Sequence, residues 1–275
     1  MLRYPDMSTQ EFAGYSITRN LAGGGLTRLY VALDAQQTRV VIRHLTADSV
    51  RIRKLRKSFF HSAEVMEKLH HPNIVRFIRL GYQDKVPYMV LEYVESRTLR
   101  DLILYRDPLL TNNVLSLIRQ MANGLAYVHA QKYLHLDFKP ENILVRNDGQ
   151  VVIIDFDLAI RSKRWTKKIK QMPGTPSYIA PETLTKHIVD ERSDIYSFGV
   201  TCYEMLTYHK PFEGDKLDQV RLAQVDPRIP PTRLKQYNPQ VPAALEALVL
   251  KCLAKKPEDR YPDMALVIRD LEALI

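Results

Sequence analysis

The chain has 275 residues, 45% of them hydrophobic, enough for one large domain or two compact lobes. Its formal net charge is 40 − 31 = +9, which suits phosphate, acidic peptides or anionic lipid. No repeat, heptad run or low-complexity tract occurs, and no apolar run approaches the roughly 18 residues of a membrane span.

The opening MLRYPDMSTQEF lacks the apolar centre of a signal peptide. Up to residue 94 the pattern favours strands. "YSITRNLAGGGLTRLYVALD" predicts a hairpin around a triple glycine, and "TRVVIRHL" a third strand. "VRIRKLRKSFFHSAEVMEKLHH" carries Phe59, Ala63, Met66 and Leu69 at helical spacing, and "HPN" stops it because proline cannot continue a helix. "IVRFIRLGYQDKVPYMVLEYV" predicts two more strands.

From Thr98 onward the pattern is helical: "TLRDLILYR", "TNNVLSLIRQMANGLAYVHAQ", "DERSDIYSFGVTCYEMLT" and "PAALEALVLKCLAKK". Thr111, Asn112 and Asn113 are the expected caps of the second. A non-helical region from Leu134 to Glu182 holds two short strands, "ILV" and "VVIID". Cys202 and Cys252 lie in apolar helical settings without CxxC spacing and are expected to pack rather than pair. A reducing, cytoplasmic setting is the expectation, a longer membrane-anchored parent being its alternative. Two basic blocks stand out: "RIRKLRK" (51–57) and "RSKRWTKKIK" (161–170), neither diluted by an acid.

The chemistry-bearing residues cluster in the non-helical region. "HLDFKPENILV" spaces Asp137, Lys139 and Asn142 at offsets of zero, two and five, and "VVIIDFD" ends a strand in Asp155. Asn142 and Asp155 are the oxygen donors a hard cation such as Mg²⁺ takes alongside phosphate oxygens. Asp137 is placed to orient a hydroxyl, and Lys139 to neutralise a phosphoryl group.

With both motifs in order, the chain resembles a eukaryotic-type serine/threonine protein kinase domain from Tyr15 to Ile275. "HPNIV", "GTPSYIAPE" (174–182), "SDIYSFGV" (193–200), "PF" (211–212) and "DR" (259–260) extend the resemblance. It implies an α+β, two-lobed fold across 1–275: a small β-rich N-lobe with one regulatory helix (1–94) and a larger helical C-lobe (95–275). It implies ATP and Mg²⁺ as cofactors. Asp137 and Lys139 become the catalytic residues, and Asn142 and Asp155 the metal ligands. Leu21, Gly24, Leu29, Val41, Arg43, Leu91, Glu92, Val94 and Leu144 become the ATP-binding set. Scaffold pairs are implied between Glu182 and Arg260, and between Asp194 and the loop around His135.

The resemblance breaks at the phosphate machinery. Arg43 stands where the family has its phosphate-binding lysine, and Ser62 where it has the partner glutamate. Glu64, two residues on, lies roughly 200° around the helix and is no substitute. Arginine keeps the charge, but its longer planar fork makes the swap non-conservative. Ala22, Gly23, Gly24, Gly25, Leu26 and Thr27 replace the glycine-rich pattern, with Gly24 alone in register. Val41 replaces a smaller alanine, Asp157 turns "DFG" into "DFD", and Leu136 replaces an arginine that pairs with phosphorylated loops. Thr166 and Thr175 are therefore not expected to be switches of that kind.

The leading reading is a pseudokinase or strongly impaired serine/threonine kinase, with nucleotide binding left open, acting through contacts with an acidic or phosphorylated protein partner. The alternative is an active kinase transferring the ATP γ-phosphate, with Arg43 replacing the lysine. A nucleic-acid-binding basic domain is the weaker third. Trp165, inside the second basic block, is either an interface anchor or a buried one.

Overall fold

The computed structural model describes residues 11–23, 27–162, 167–170 and 172–274. Gly24, Gly25, Leu26, Trp165 and Thr166, with the expectations placed on them, lie outside the described residues. The chain divides into two compact units, Met1–His70 with Val75–Val94, and His71–Ile74 with Glu95–Ile275.

The first unit is a six-stranded sheet in the order β1-β2-β3-β4-β6-β5. Its strands are β1 (Glu11–Phe12), β2 (Tyr15–Gly23), β3 (Thr27–Leu33), β4 (Arg39–Leu45), β5 (Phe77–Gln83) and β6 (Val86–Glu92). Every pairing is antiparallel: four are hairpins between consecutive strands, and β4 meets β6 across residues 46–85. One face buries Tyr15, Ile17, Tyr30, Ala32, Val40, Ile42, Tyr88 and Val90 in a single cluster. The β1 hairpin arm is an addition to the expected strands; it supplies Phe12, whose ring stacks on His44 and meets Tyr88 edge-on.

The helical stretch after β4 is broken in two, α1 (Ala47–Arg51) and α2 (Arg53–Glu67). Ile52, extended at φ −83° and ψ 101°, separates them, although no glycine or proline marks the break. Thr46 caps α1 through its hydroxyl, whereas α2 starts from Ile52 without a side-chain cap. The buried residues of α2 are Phe59, Ser62, Ala63, Val65 and Met66, at helical spacing.

The second unit is mainly helical. Its elements run β7 (Ser96–Thr98), α3 (Leu99–Leu104), α4 (Pro108–Ala130), β8 (Tyr133–Leu134), β9 (Ile143–Arg146), β10 (Val151–Ile153), β11 (Ile160–Arg161) and β12 (Lys167–Lys168). Then come α5 (Pro181–Lys186), β13 (Ile188–Val189), α6 (Glu191–Thr207), α7 (Leu217–Val225), α8 (Leu234–Tyr237), α9 (Ala243–Cys252) and α10 (Met264–Glu272). The strands form small sheets, β10-β9-β7, β11-β8 and β12-β13.

Helix α4 corrects one expectation. It begins at Pro108, not Thr111, with the Asp107 carboxylate accepting from the Leu109 N–H. Asp-Pro is the better start: the side chain caps, and proline at the first helical position forfeits no hydrogen bond. Thr111 and Asn113 bond back to the Pro108 and Leu109 carbonyls inside the first turns.

His71–Ile74 belongs with the second unit because Asn73 is stitched there. Its Nδ2 donates to the Val151 carbonyl at 2.8 Å, and its carbonyl accepts from the Ile153 N–H at 2.8 Å. Gly124 of α4 is needed beside it, since a Cβ there would come within 2.6 Å of Ile153 Cδ1. Helix α6 is buried on all sides from Ser193 to Thr207. Its hydroxyls survive burial because Ser197, Thr201 and Thr207 donate to carbonyls four residues back. Cys202 and Cys252 are free and buried, and burial pushes the Cys252 thiol up to about 12. No described helix is long and apolar enough to cross a membrane.

Candidate functional site

The expected site residues fall in both units. Asp137, Lys139, Asn142, Leu144 and Asp155 belong to the second; Leu21, Leu29, Val41, Arg43, Leu91, Glu92 and Val94 belong to the first. Gly24 is outside the described residues.

In the second unit the loop after β8 is held from beneath by Asp194, fully buried on α6. Its carboxylate accepts from the His135 and Leu136 N–H groups and from His129 Nε2, each at 2.8 Å. Burial alone would raise the Asp194 carboxyl; His129 and the backbone N–H groups outweigh it and hold it below the usual carboxylate range. The anchoring matters because Leu136 sits in the left-handed region at φ 62°, a conformation costing about 1–2 kcal/mol for an L-residue. Asp194 thus supplies the bonds that keep the loop bent.

The bend presents Asp137. One carboxylate oxygen accepts from Lys139 Nζ at 2.7 Å and Asn142 Nδ2 at 3.0 Å. The other accepts from the Thr175 N–H at 3.1 Å and its hydroxyl at 3.3 Å. Lys139 Nζ also donates to Thr175 Oγ1 at 2.6 Å, closing a ring of aspartate, lysine and threonine. The Asp137 N–H donates to His135 Nδ1 at 3.2 Å, so His135 carries its proton on Nε2, 3.3 Å from the Ile154 carbonyl. Sequence spacing alone brings Asp137, Lys139 and Asn142 together; Thr175 enters from 38 residues away.

Thr175 is delivered by Gly174 at φ 85°. A Cβ on Gly174 would stand 2.6 Å from the Leu136 carbonyl oxygen, so only glycine permits this crossing. Gln224, fully buried on α7, then donates to the Pro176, Ser177 and Ile179 carbonyls. Arg100 of α3 donates to Glu141, Glu204 and the Tyr178 hydroxyl. Burial would lower the Arg100 guanidinium, but hydrogen bonds and charge from Glu204 hold it above its ordinary value. No sequence motif exposes Gln224 or Arg100; each looks like an ordinary polar residue on an amphipathic helix. The two implied scaffold pairs are present: Arg260 makes a bidentate pair with Glu182, and Asp194 binds the loop at His135.

Around Leu136 the segment packs through apolar side chains. Leu134, Leu136 and Val189 form a buried cluster against which Ile160 and Ile169 pack. β11 pairs with β8 and β12 with β13, fixing the described ends of the 155–182 loop.

A cation fits the donor set in this unit. Asn142 donates through Nδ2 to Asp137, which turns its Oδ1 acceptor the other way. The Ile154 N–H bonds the Asn142 carbonyl at 2.9 Å, tying the approach to Asp155 to the same turn. Asp155 lies in the left-handed region at φ 65°, and its Oδ1 accepts from the Asp157 N–H at 3.2 Å. These are oxygen donors suited to Mg²⁺.

In the first unit the register of β3, β4 and β6 aligns Leu29 with Arg43 and Met89, and Val31 with Val41 and Leu91. Cross-strand partners share a face, so Leu29, Val41, Arg43 and Leu91 line one side of the sheet. The Arg43 guanidinium lies over the Phe59 ring of α2, 5.9 Å from its centroid. Ser62 is wholly buried, its hydroxyl 3.9 Å from Met66 Sδ. Glu64 points outward, largely exposed, and pairs with Lys68 at 2.7 Å. The buried face of α2 therefore carries no carboxylate. Leu21 is exposed, and the Glu92 N–H donates to the Arg76 carbonyl at 3.0 Å.

An α+β chain with a β-rich unit, a helical unit and an Asp-Lys-Asn loop on a buried aspartate is what the protein kinase domain family specifies. That family matches residues 15–269, and the chain belongs to it. Among curated relatives it is 33% identical over 249 residues to the serine/threonine-protein kinase PrkC of Bacillus subtilis, covering 90% of this chain and 38% of that protein. It is 33% identical over 263 residues to the serine/threonine-protein kinase PknL of Mycobacterium bovis, covering 94% and 65%. A probable serine/threonine-protein kinase of Streptomyces coelicolor is 34% identical over 269 residues, covering 95% and 40%. The chain thus spans between about two-fifths and two-thirds of the length of these relatives.

Proposed function

We propose that this chain is a serine/threonine protein kinase domain of strongly reduced rate that retains ATP and Mg²⁺ binding. The observation that carries the reading is the ring of Asp137, Lys139 and Thr175, with Asn142 behind it. In that ring Asp137 is poised to take up the proton of a substrate hydroxyl, and Lys139 to balance charge on the phosphoryl group. Thr175 holds both side chains, donating to the Asp137 carboxylate and accepting from Lys139 Nζ. Asn142 and Asp155 would hold Mg²⁺, which when bound neutralises the phosphate oxygens.

The reduced rate follows from the first unit. Arg43 would hold phosphate from its place over Phe59, with Ser62 standing where the family has its helix glutamate. Positioning supplies much of the catalysis of phosphoryl transfer, so a phosphate held without the family's lysine and glutamate reacts slowly. Buried Ser62 also favours a second reading, a nucleotide-binding pseudokinase that acts by contact alone.

Calorimetry with ATP, with and without Mg²⁺, is the direct test, followed by a phosphotransfer assay. Micromolar binding that strengthens with Mg²⁺, plus slow transfer abolished by Asp137→Asn, is the expected pair of results. Binding without any transfer would leave the contact reading, and no binding at millimolar ATP would defeat both. Pairing Arg43→Lys with Ser62→Glu is expected to raise the transfer rate tenfold or more.

A further inference from the structure

The first basic block sits at the junction of α1 and α2. Arg51, Arg53, Lys54, Arg56 and Lys57 are all exposed. None of the five makes an ion pair or side-chain hydrogen bond among the described residues. Their placement opposes the helix they begin. No acid lies in the first turn of α2, and Ile52 at its N-cap offers no side-chain bond. Helix N-termini favour negative charge and unpaired N–H groups need acceptors, so this end combines two unmet demands for an anion.

Beside it runs an apolar strip. Strand β5 is the outer strand of its sheet, with β6 as its neighbour. Leu80 pairs with Met89 and so shares the face that carries Arg43, turned toward α2. Tyr82, two residues on, shares that face, and its ring lies 6.2 Å from Phe60 of α2. Arg56 covers the Phe60 ring at 5.8 Å, which joins the basic block to the strip. Leu80 is 38% exposed, Tyr82 57%, and Ile78 at the strand's bulge 40%. Three large apolar residues exposed together on an edge strand are a liability unless something covers them.

We propose that this face, α2 with the edge strand β5, docks an extended segment of a partner protein whose Asp and Glu residues alternate with apolar ones. The strip and strand suit extended peptide: apolar side chains at every second position meet Leu80 and Tyr82, and the open strand edge offers backbone partners. Four of the cations, Arg53 to Lys57, spread over about 6 Å of α2, with Arg51 beyond the break at Ile52, rather than converging on one point. That spread matches a run of carboxylates, not a single phosphate. The inference uses the first unit alone and does not depend on whether the chain transfers phosphate.

The test is fluorescence anisotropy on the full chain with a labelled ten-residue peptide of alternating Leu and Glu. Three controls accompany it: an all-Glu peptide, a peptide with one phosphoserine in a neutral background, and vesicles of one part phosphatidylserine to three of phosphatidylcholine. Micromolar binding is expected, at least tenfold tighter than the all-Glu peptide. Arg53→Glu with Arg56→Glu should weaken it at least tenfold, and so should Tyr82→Ser. Hydrogen exchange should show protection of 78–83 on binding; thermal melts of the variants check that these exposed changes leave the fold intact. Equal binding of the all-Glu peptide, unchanged affinity in the variants, or no binding below millimolar would overturn the proposal. So would tighter binding to the phosphoserine peptide or to vesicles that the same substitutions abolish.

Discussion

Breaking the pair of Arg260 and Glu182 should destabilise the second unit strongly. Arg260 is fully buried in its side chain, and Glu182 nearly so. All five guanidinium N–H groups are used: two on the Glu182 carboxylate, three on the Ala254, Arg192 and Lys255 carbonyls. Ser193 adds a hydroxyl to the same carboxylate at 3.0 Å. Arg260→Met strands a buried carboxylate with one donor and leaves three carbonyls short, which should cost about 3–5 kcal/mol. Glu182→Leu instead leaves a buried cation that keeps three acceptors, and should cost somewhat less. The double variant should cost clearly less than the two single costs added, because neither charge remains. Urea titrations followed by far-ultraviolet circular dichroism give all three values, and an unchanged slope with denaturant shows that stability alone moved. Costs below about 1 kcal/mol for Arg260→Met, or strict additivity, would refute the reasoning.

Three further outcomes are expected. Gly174→Ala should sharply reduce phosphotransfer and leave ATP affinity within about twofold, since its Cβ would press on the Leu136 carbonyl beside Asp137; paired calorimetry and rate measurements check this. Asp194 has a depressed native carboxyl pKa, so its contribution is present above the unfolded value of about 3.9 and fades as pH falls through the native value. Asp194→Asn should therefore lower stability at pH 7 and flatten its fall in acid, as urea midpoints between pH 7 and 3 would reveal. Gln224→Ala removes the donor to three carbonyls and should cost about 1–3 kcal/mol, with faster exchange of the Tyr178 and Ile179 amides.

Much of this fold is readable from residue order because the signals are local. β4 shows in its β-branched run, and the Asp137 loop shows because Asp137, Lys139 and Asn142 lie within six positions. Boundaries set by competing local signals mislead. Thr111-Asn112-Asn113 resembles a cap, yet Asp107-Pro108 begins α4 one turn earlier. The break at Ile52 carries no glycine or proline to announce it. Long-range partners are invisible in residue order: Gln224 meets Pro176 across 48 positions, and Arg100 meets Glu204 across 104. A side chain's role in such contacts is decided by folding, not by its neighbours in the chain.

The cluster of Leu136 with Ile160, Ile169 and Val189 has a thermodynamic consequence. Hydrocarbon contacts draw their strength from water, so they loosen on cooling and tighten in sulfate or sugar solutions, in contrast with a charge-held loop. The seating of Leu136 against these residues should therefore follow temperature and osmolytes, so the solvent itself sets how firmly this part of the loop is held.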